Sequence, residues 1–350
     1  MVSANFNISN LRYSPSFGNN TKTPNADAFL DAVKQQEKRD TEGATSSQTA
    51  VIPFLAAVVY DMVLIGDTLG ARKKDPAGFK KILLKNFGKF SIATLAGMCT
   101  CSAINMYLDT KSDKNYKKLK EDFNGINQNT NAKLSEKLIS SNYVGALYSP
   151  VSGNIGVGKN VLNDPISSLS LEKLLKHELV HAKQYETVAR SMDGIKKINY
   201  AAMNTFKNNI LQTPNAKEGF DAIYQDIQQN RDKFKDTKIR ISGGSAEVGF
   251  VDYVEALHIL MTNPDAGMND IPMVIDAKHY QEIIDKKGRL SAEDEKKADI
   301  YYKAMLDYSP ARSWMTAYNP WSSYRQNLLE KEAYKENPSI LTKMSDWFSK

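Results

Sequence analysis

The amino-acid sequence predicts an α+β protein that is mainly helical, with a small sheet and, before it, a hairpin of two apolar helices. Two long apolar runs between residues 48 and 110 predict the hairpin. The segment Leu147 to Leu162, in which Ile155 and Val157 alternate with glycines, predicts a short strand at the edge of the sheet. Helical periodicity dominates the rest of the chain. With 350 residues, 41% of them hydrophobic and 25% charged, the composition excludes a wholly disordered chain.

Three segments are expected along the chain. Residues 1–47 are rich in Asn, Ser, Thr and charged side chains and predict a disordered leader, with a helix around Ala26 to Arg39. Residues 48–110 form the apolar hairpin. Residues 111–350 form the main folded domain, in which a helical insertion spans about 190–320.

The two apolar runs differ in their polar content. The first, Thr49 to Gly66, carries a single charge at Asp61, and the second, Phe90 to Leu108, carries none. Each is about long enough to cross the ~30 Å hydrocarbon core of a bilayer as a helix. The runs therefore predict a transmembrane hairpin and membrane association through residues 48–108. The alternative is a helical hairpin buried in a soluble domain, because a carboxylate in lipid is costly.

Basic residues lie in the loop between the two runs. They are Arg72, Lys73, Lys74, Lys80, Lys81 and Lys85. The positive-inside rule favours a cytoplasmic loop, which places the main domain on the non-cytoplasmic side; a second basic stretch, Lys111 to Lys120, competes for the cytoplasm. The net charge is +6, but acidic residues are interspersed throughout, so no nucleic-acid partner is expected.

The chain has two cysteines, Cys99 and Cys101, which lie one residue apart in the second apolar run. They cannot form a disulfide framework for the chain. No histidine or further cysteine lies in the same segment to complete a metal site, so two small buried residues are expected.

The segment Ser168 to Glu186, SLSLEKLLKHELVHAKQYE, contains neither Pro nor Gly and predicts one continuous amphipathic helix. His177 and His181 are one turn apart, so both imidazoles can reach one ion at about 2.0–2.1 Å. Glu178 can contact a water on that ion without binding the metal, and can take its proton as the water attacks a carbonyl. The pattern predicts a hydrolytic zinc centre.

The alternative for this segment is a helix that holds two histidines by chance. With four histidines in 350 residues, a His-Glu-x-x-His match is expected by chance roughly once in several hundred such sequences. The motif therefore favours a metal site, and a helical interaction protein without metal remains the less favoured interpretation.

These residues resemble the zincin metallopeptidases, and among them the gluzincins, in which a glutamate on a later helix is the third zinc ligand. The resemblance covers two short blocks, HELVHAKQYE beginning at His177 and YRQNLLEKEAY beginning at Tyr324. It implies zinc-dependent hydrolysis of peptide bonds, a protein or peptide substrate, and Glu178 as the general base. An inactive zinc-binding membrane or interaction protein is the alternative function.

The resemblance also implies the third ligand. The acidic, alanine-containing context favours Glu332, and an alternative alignment uses Glu330, which Tyr334 follows one turn later. About 150 residues separate His181 from Glu332, more than in compact gluzincins, so a large insertion must fold back. Weaker ligand candidates lie within or nearer that interval: Glu186, Glu247 and Glu255. Side chains that could stabilise an oxyanion are His258, Tyr324 and Tyr334.

Overall fold

The computed structural model describes residues 25–42, 48–74, 79–140, 145–163, 171–211, 216–309 and 321–336. These ranges are mainly helical and include one three-stranded and one two-stranded sheet, so the mainly helical α+β class is confirmed. In chain order the elements are α1 (Ala26–Glu42), α2 (Gln48–Lys74), α3 (Phe79–Asp109), α4 (Ser112–Ile126), β1 (Lys133–Leu134), β2 (Ala146–Tyr148), β3 (Asn154–Val157), α5 (Lys159–Asn163), α6 (Leu171–Ala189), α7 (Gly194–Ile210), α8 (Ala216–Gln229), α9 (Arg231–Phe234), β4 (Lys238–Ile241), β5 (Ala246–Gly249), α10 (Phe250–Thr262), α11 (Ala277–Lys287), α12 (Ala292–Leu306), α13 (Ser323–Gln326) and α14 (Leu328–Glu336).

The three-stranded sheet differs from the single edge strand that the sequence predicts. Its order is β1-β3-β2, with β1 parallel and β2 antiparallel to the central strand β3. Ile155 and Val157 are fully buried on the central strand β3, and the edges are formed by β1 and β2. The chain reverses between the two strands at Gly153, whose φ of +70° is one that a residue with a Cβ rarely adopts.

Helix α6 lies between two apolar cores. Leu175 and Ala182 face a smaller cluster that the sheet forms with α4 and α5. Val188 and Ala189, near the end of α6, join a larger cluster built from α1 and the helices after α6. Because α6 is packed from both sides, the side chains on its remaining face are held in a fixed place.

Helix α1 (Ala26–Glu42) lies where the sequence predicts a helix within the leader, around Ala26 to Arg39. Ala26, Phe29 and Leu30 are buried in the larger core, and the Phe29 ring stacks on that of Phe250 at 6.1 Å. These residues recur at the i, i+3, i+4 spacing of a helical apolar stripe. Residues 1–24 and 43–47 lie outside the described ranges, and the division of the chain into three segments otherwise stays a prediction.

Helices α2 and α3 pack against each other in antiparallel directions. The Thr94 hydroxyl donates to the Asp61 carboxylate at 2.8 Å, and the Asn86 amide donates to the Thr68 hydroxyl at 2.9 Å. Within the described residues, α3 is the helix whose length and composition suffice to cross a membrane. The structure thus supports one candidate membrane-spanning helix, and the two-helix membrane hairpin stays a prediction.

The prediction that the two cysteines are buried is wrong. Cys99 is exposed and Cys101 is half-buried, because no other element of the described chain covers the outer face of α3.

Candidate metal centre

The predicted motif lies on one buried face of α6. The exposed fractions of His177, Glu178 and His181 are 5%, 1% and 7%. The two imidazoles point the same way, with their Nε2 atoms 3.2 Å apart. The helix continues without a break from Leu171 to Ala189, as the absence of Pro and Gly predicts.

A glutamate from α14 completes the group. Helix α14 packs along α6, and Glu330 at its first turn is fully buried. Its Oε2 lies 3.4 Å from the Nε2 of His177, and its Oε1 lies 3.4 Å from the Nε2 of His181. One ligand atom from each of the three residues can be chosen so that all lie within 4.8 Å of one another.

These distances fit a tetrahedral metal ion. Two ligands bound at about 2.0–2.1 Å to such an ion are about 3.3–3.4 Å apart, close to the separations found here. One buried oxygen, Glu178 Oε1, also has no hydrogen-bond partner among the described residues, and Glu330 Oε2 has only its 3.4 Å contact with His177 Nε2. A buried polar atom without a hydrogen-bond partner costs about 1–3 kcal/mol of folding stability. A bound cation and its water would offset this cost. The donor set therefore fits a divalent ion, and two imidazoles with one carboxylate suit zinc.

In the metal-free protein, His181 and Glu330 form a buried ion pair. Burial disfavours the charged imidazole, but the charge of Glu330 and its hydrogen bond outweigh it and raise the pKa of His181 to about 9. Burial likewise opposes the Glu330 carboxylate, yet the charge of His181 and the imidazole hydrogen bonds lower the pKa of Glu330. The proton of this His181–Glu330 pair lies at a point where a cation can replace it.

Gln184, one turn after His181, connects the two ligand-bearing helices. Its Nε2 donates to the backbone carbonyl of Leu329 at 3.1 Å, which fixes the amide orientation and turns Oε1 towards His181 Nδ1 at 3.0 Å. In neutral His181 the proton then lies on Nδ1, and the Nε2 lone pair faces the site.

Glu332, the favoured third ligand from sequence, is not in the group that the structure brings together. Its Oε2 accepts hydrogen bonds from the Tyr301 hydroxyl at 2.6 Å and from the Gln184 amide at 3.2 Å. Two residues along a helix correspond to about 200° of rotation, so Glu330 faces the two histidines while Glu332 lies between Tyr301 of α12 and Gln184 of α6. The alternative from sequence, Glu330, is the one beside the histidines.

A cavity of about 70 Å³ adjoins the group. Glu178, His181, Tyr308 and Glu330 contribute to its polar wall, and its apolar wall includes Leu147, Phe206 and Leu329. The backbone N–H of Tyr148, on edge strand β2, donates to Glu178 Oε2 at 2.7 Å. One oxygen of Glu178 is therefore anchored, and the other, Oε1, has no hydrogen-bond partner among the described residues.

Tyr308 is a site residue that the sequence does not reveal. Its hydroxyl donates to Glu330 Oε1 at 3.0 Å, and it is one of 17 tyrosines with no distinguishing pattern around it. Burial, and then the charge of Glu330, raise its pKa well above the usual value, so the hydroxyl stays protonated.

The other oxyanion candidates occupy different places. His258 stacks on Tyr224 at 3.7 Å and its Nε2 lies 3.1 Å from Asp221, and it does not line the cavity. The Tyr334 ring packs edge-on against His177 at 4.5 Å, and Tyr324 is buried nearby. Neither tyrosine lines the cavity.

The weaker ligand candidates make ion pairs elsewhere. Glu186 binds Lys287 at 2.5 Å, Glu247 approaches Lys238 at 3.2 Å, and Glu255 approaches Arg231 at 3.3 Å. Charged partners at these distances account for the three carboxylates without a metal.

Comparisons with known proteins assign no family. No family model matches the chain, and no curated protein or solved structure matches it either. The resemblance to zincins therefore rests on the HExxH spacing and on the buried group of His177, His181 and Glu330.

Proposed function

We propose that the protein is a zinc metallopeptidase, in which His177, His181 and Glu330 bind the metal and Glu178 is the general base. The observation that carries this proposal is the buried His-His-Glu group beside a cavity that Glu178 also lines. Three protein ligands leave a fourth position for water or substrate, the pattern of catalytic zinc sites.

Bound zinc supplies a Lewis acid that polarises the scissile carbonyl and lowers the pKa of water at the site. Glu178 takes the proton of the attacking water on Oε1, since Oε2 is held by the Tyr148 N–H. Glu178 then gives that proton to the leaving amine. The anchored oxygen limits rotation of the carboxylate, which keeps the base in position through both transfers.

Tyr308 is the proposed donor to the oxyanion. Its protonated hydroxyl lines the same cavity as Glu178 and lies within hydrogen-bond distance of a ligand. A donor in a site without bulk water stabilises charge that develops on the carbonyl oxygen. The apolar wall of Leu147, Phe206 and Leu329 fits a small apolar group of a peptide substrate.

We also propose that helices α2 and α3 anchor the protein in a membrane, with the metal domain on the non-cytoplasmic side. The apolar composition and length of α3 support the anchoring, and the basic loop between the helices supports the side. The substrate would then be a protein or peptide that reaches this membrane surface.

A second candidate is a structural zinc site in a protein without hydrolytic activity. The burial of the three ligands favours it, because none of them is more than 7% exposed. Closed centres are the rule for structural zinc, whereas catalysis needs access for a substrate.

The substitution Glu178→Gln discriminates the two candidates. The full-length protein in detergent is assayed for zinc content and for cleavage of a quenched-fluorescent peptide library, with His177→Ala as the metal-free control. The peptidase proposal expects full zinc content without cleavage in Glu178→Gln, and loss of both in His177→Ala. Wild-type protein that holds zinc and cleaves no peptide would support the structural site instead.

A further inference from the structure

We propose that α2 and α3 form a helical pair with polar contacts inside and an apolar outer surface that contacts a lipid bilayer. The basic end of the pair, which carries Arg72, Lys80, Lys81, Lys85 and Lys89, lies at the membrane face opposite to the metal centre. This rests on the membrane anchoring proposed above and specifies the partner, the depth and the orientation. It does not depend on the hydrolytic chemistry.

The first observation is the distribution of exposed apolar side chains. Of 21 large apolar side chains that are exposed in the described chain, 16 lie on α2 and α3. They are Leu55, Val59, Tyr60, Met62, Val63, Ile65, Leu69, Leu83, Leu84, Phe87, Phe90, Ile92, Leu95, Met98, Met106 and Tyr107. A continuous apolar surface of this kind is not left in contact with water by a soluble protein.

The second observation is that polar side chains lie between the helices. Ala57, Asp61, Leu64 and Thr68 are buried at spacings of four, three and four, and so form the contact stripe of α2. Asp61 is 5% exposed and Thr68 is 9% exposed, although the residues that follow them, Met62 and Leu69, are more than half exposed. In the hydrocarbon core of a membrane, polar side chains must lie inside the protein and apolar side chains must face the lipid.

Hydrogen bonds fix the alignment of the pair. Asp61 meets Thr94, and Thr68 meets Asn86, so the charge-free segment Phe90–Leu108 runs alongside about Gln48–Gly66 of α2. Nineteen helical residues span about 28 Å, close to the ~30 Å thickness of the hydrocarbon core. Asp61, the one charge in this band, is enclosed in the contact between the helices.

Charged residues mark the end of the apolar segment that lies farther from the metal centre. The exposed basic residues at this end are Arg72, Lys80, Lys81, Lys85 and Lys89. Asp67 is exposed at the same end, so the excess is positive. A cluster of this sign beside an apolar band suits the anionic headgroups of a membrane surface.

The start of α2 and the end of α3 connect to the domain that holds the metal centre. Helix α1, which precedes α2, is buried in the larger core, and its Ala26 N–H donates to Asp226 at 2.8 Å. Helix α4 follows α3 almost directly and packs on α6, which carries the histidines. Both ends therefore lie on the side of the metal centre, and the basic end of the pair lies about one bilayer thickness away.

A bilayer explains this surface better than a protein partner does. Exposed apolar residues surround α2 on every side except the one that faces α3. A second copy or another protein would cover one face of the pair and leave the others in water. Lipid covers all of them at once.

The two native cysteines test the depth of the band. Full-length protein is incorporated into preformed vesicles of phosphatidylcholine with phosphatidylglycerol and treated with a membrane-impermeant maleimide. We expect loss of labelling at Cys99, which is exposed on α3, and recovery after SDS is added. Efficient labelling of Cys99 in intact vesicles would overturn the proposal, as would its protection in a detergent-free soluble oligomer without lipid.

A second measurement tests the orientation. In a background with Cys99→Ser and Cys101→Ser, Lys81→Cys should react only after the vesicles are permeabilised, and Met192→Cys should react at once. Met192 is the matched control because it is 76% exposed on the metal domain. Equal labelling of both in intact vesicles would place the hairpin flat on the surface and overturn the spanning orientation.

Vesicle flotation separates this inference from the metal chemistry. Ile92→Lys with Leu95→Lys should abolish flotation, whereas Met192→Lys should leave it unchanged. Zinc content in detergent serves as the folding control and should match the wild type in both. Unchanged flotation of the double variant would contradict insertion whatever the zinc content, and normal flotation of wild type without zinc would refute the metal centre alone.

Discussion

His177 and His181 bring their Nε2 atoms to 3.2 Å from each other, and each of these atoms lies 3.4 Å from an oxygen of Glu330. Three strong polar groups thus meet in a buried space where none has room for its own shell of water. Such an arrangement is unfavourable unless a proton or a cation binds the groups together. Each prediction below follows from this contact or from the packing that maintains it.

Gln184 should act as a positioning residue for the metal. Gln184→Leu removes the acceptor at His181 Nδ1 and the amide bond to the Leu329 carbonyl, so zinc affinity should fall by about 10–100-fold. Competition with a fluorescent chelator measures the affinity, and Gln281→Leu on the surface is the control. NMR of the imidazole nitrogens should also show loss of the Nδ1–H tautomer. Unchanged affinity and tautomer would remove Gln184 from the site.

Zinc binding should release a proton near pH 7.5. The pKa of His181 in the metal-free protein is raised to about 9 from 6.5, so this histidine is mostly charged at that pH and must lose its proton to bind metal. Affinity should rise with pH between about 6.5 and 9. Calorimetry in buffers of different ionisation enthalpy counts the protons, and binding without net proton exchange would contradict the ion pair.

The same ion pair sets the pH dependence of metal-free stability. A raised His181 pKa stabilises the fold fully below 6.5, and this contribution is lost as pH rises through about 9. The lowered Glu330 pKa stabilises the fold above 4.5, and this contribution is lost as pH falls further. The melting temperature of the chelator-treated protein should therefore be highest between about pH 4.5 and 6.5. A maximum above pH 8 would be inconsistent with the pair.

Tyr308→Phe should lower turnover and leave zinc in place. The variant keeps the ring and removes the hydroxyl donor, so kcat should fall about 10²–10³-fold with little change in KM. Tyr200→Phe, which removes a hydroxyl that donates to the Ala266 carbonyl and does not line the cavity, is the matched control. Equal effects of the two substitutions would assign Tyr308 a packing role only.

Phe29→Ala tests whether α1 belongs to the folded domain. The Phe29 ring is 7% exposed and contacts Phe250 and Phe220, so its removal should cost about 3 kcal/mol or more. Thermal unfolding in detergent measures the effect, and Lys34→Ala on the exposed face of α1 is the control. A disordered leader would show no difference between the two variants.

The sequence predicted those features that depend on local pattern. The α6 helix, its two histidines and the neighbouring glutamate follow from residue spacing alone, and the structure places all three on one buried face. The choice between Glu330 and Glu332 depends on which side of α14 meets α6, a tertiary contact between segments about 150 residues apart. Tyr308 reaches the centre through the same packing, so no local signal could identify it.

The most direct test of the metal centre is the zinc content of wild type, Glu330→Ala and Glu332→Ala, purified without chelator and measured by elemental analysis. We expect about one zinc per chain in wild type and in Glu332→Ala at saturating zinc, and none in Glu330→Ala. Zinc retained in Glu330→Ala but lost in Glu332→Ala, or a wild type without zinc, would contradict the centre described here.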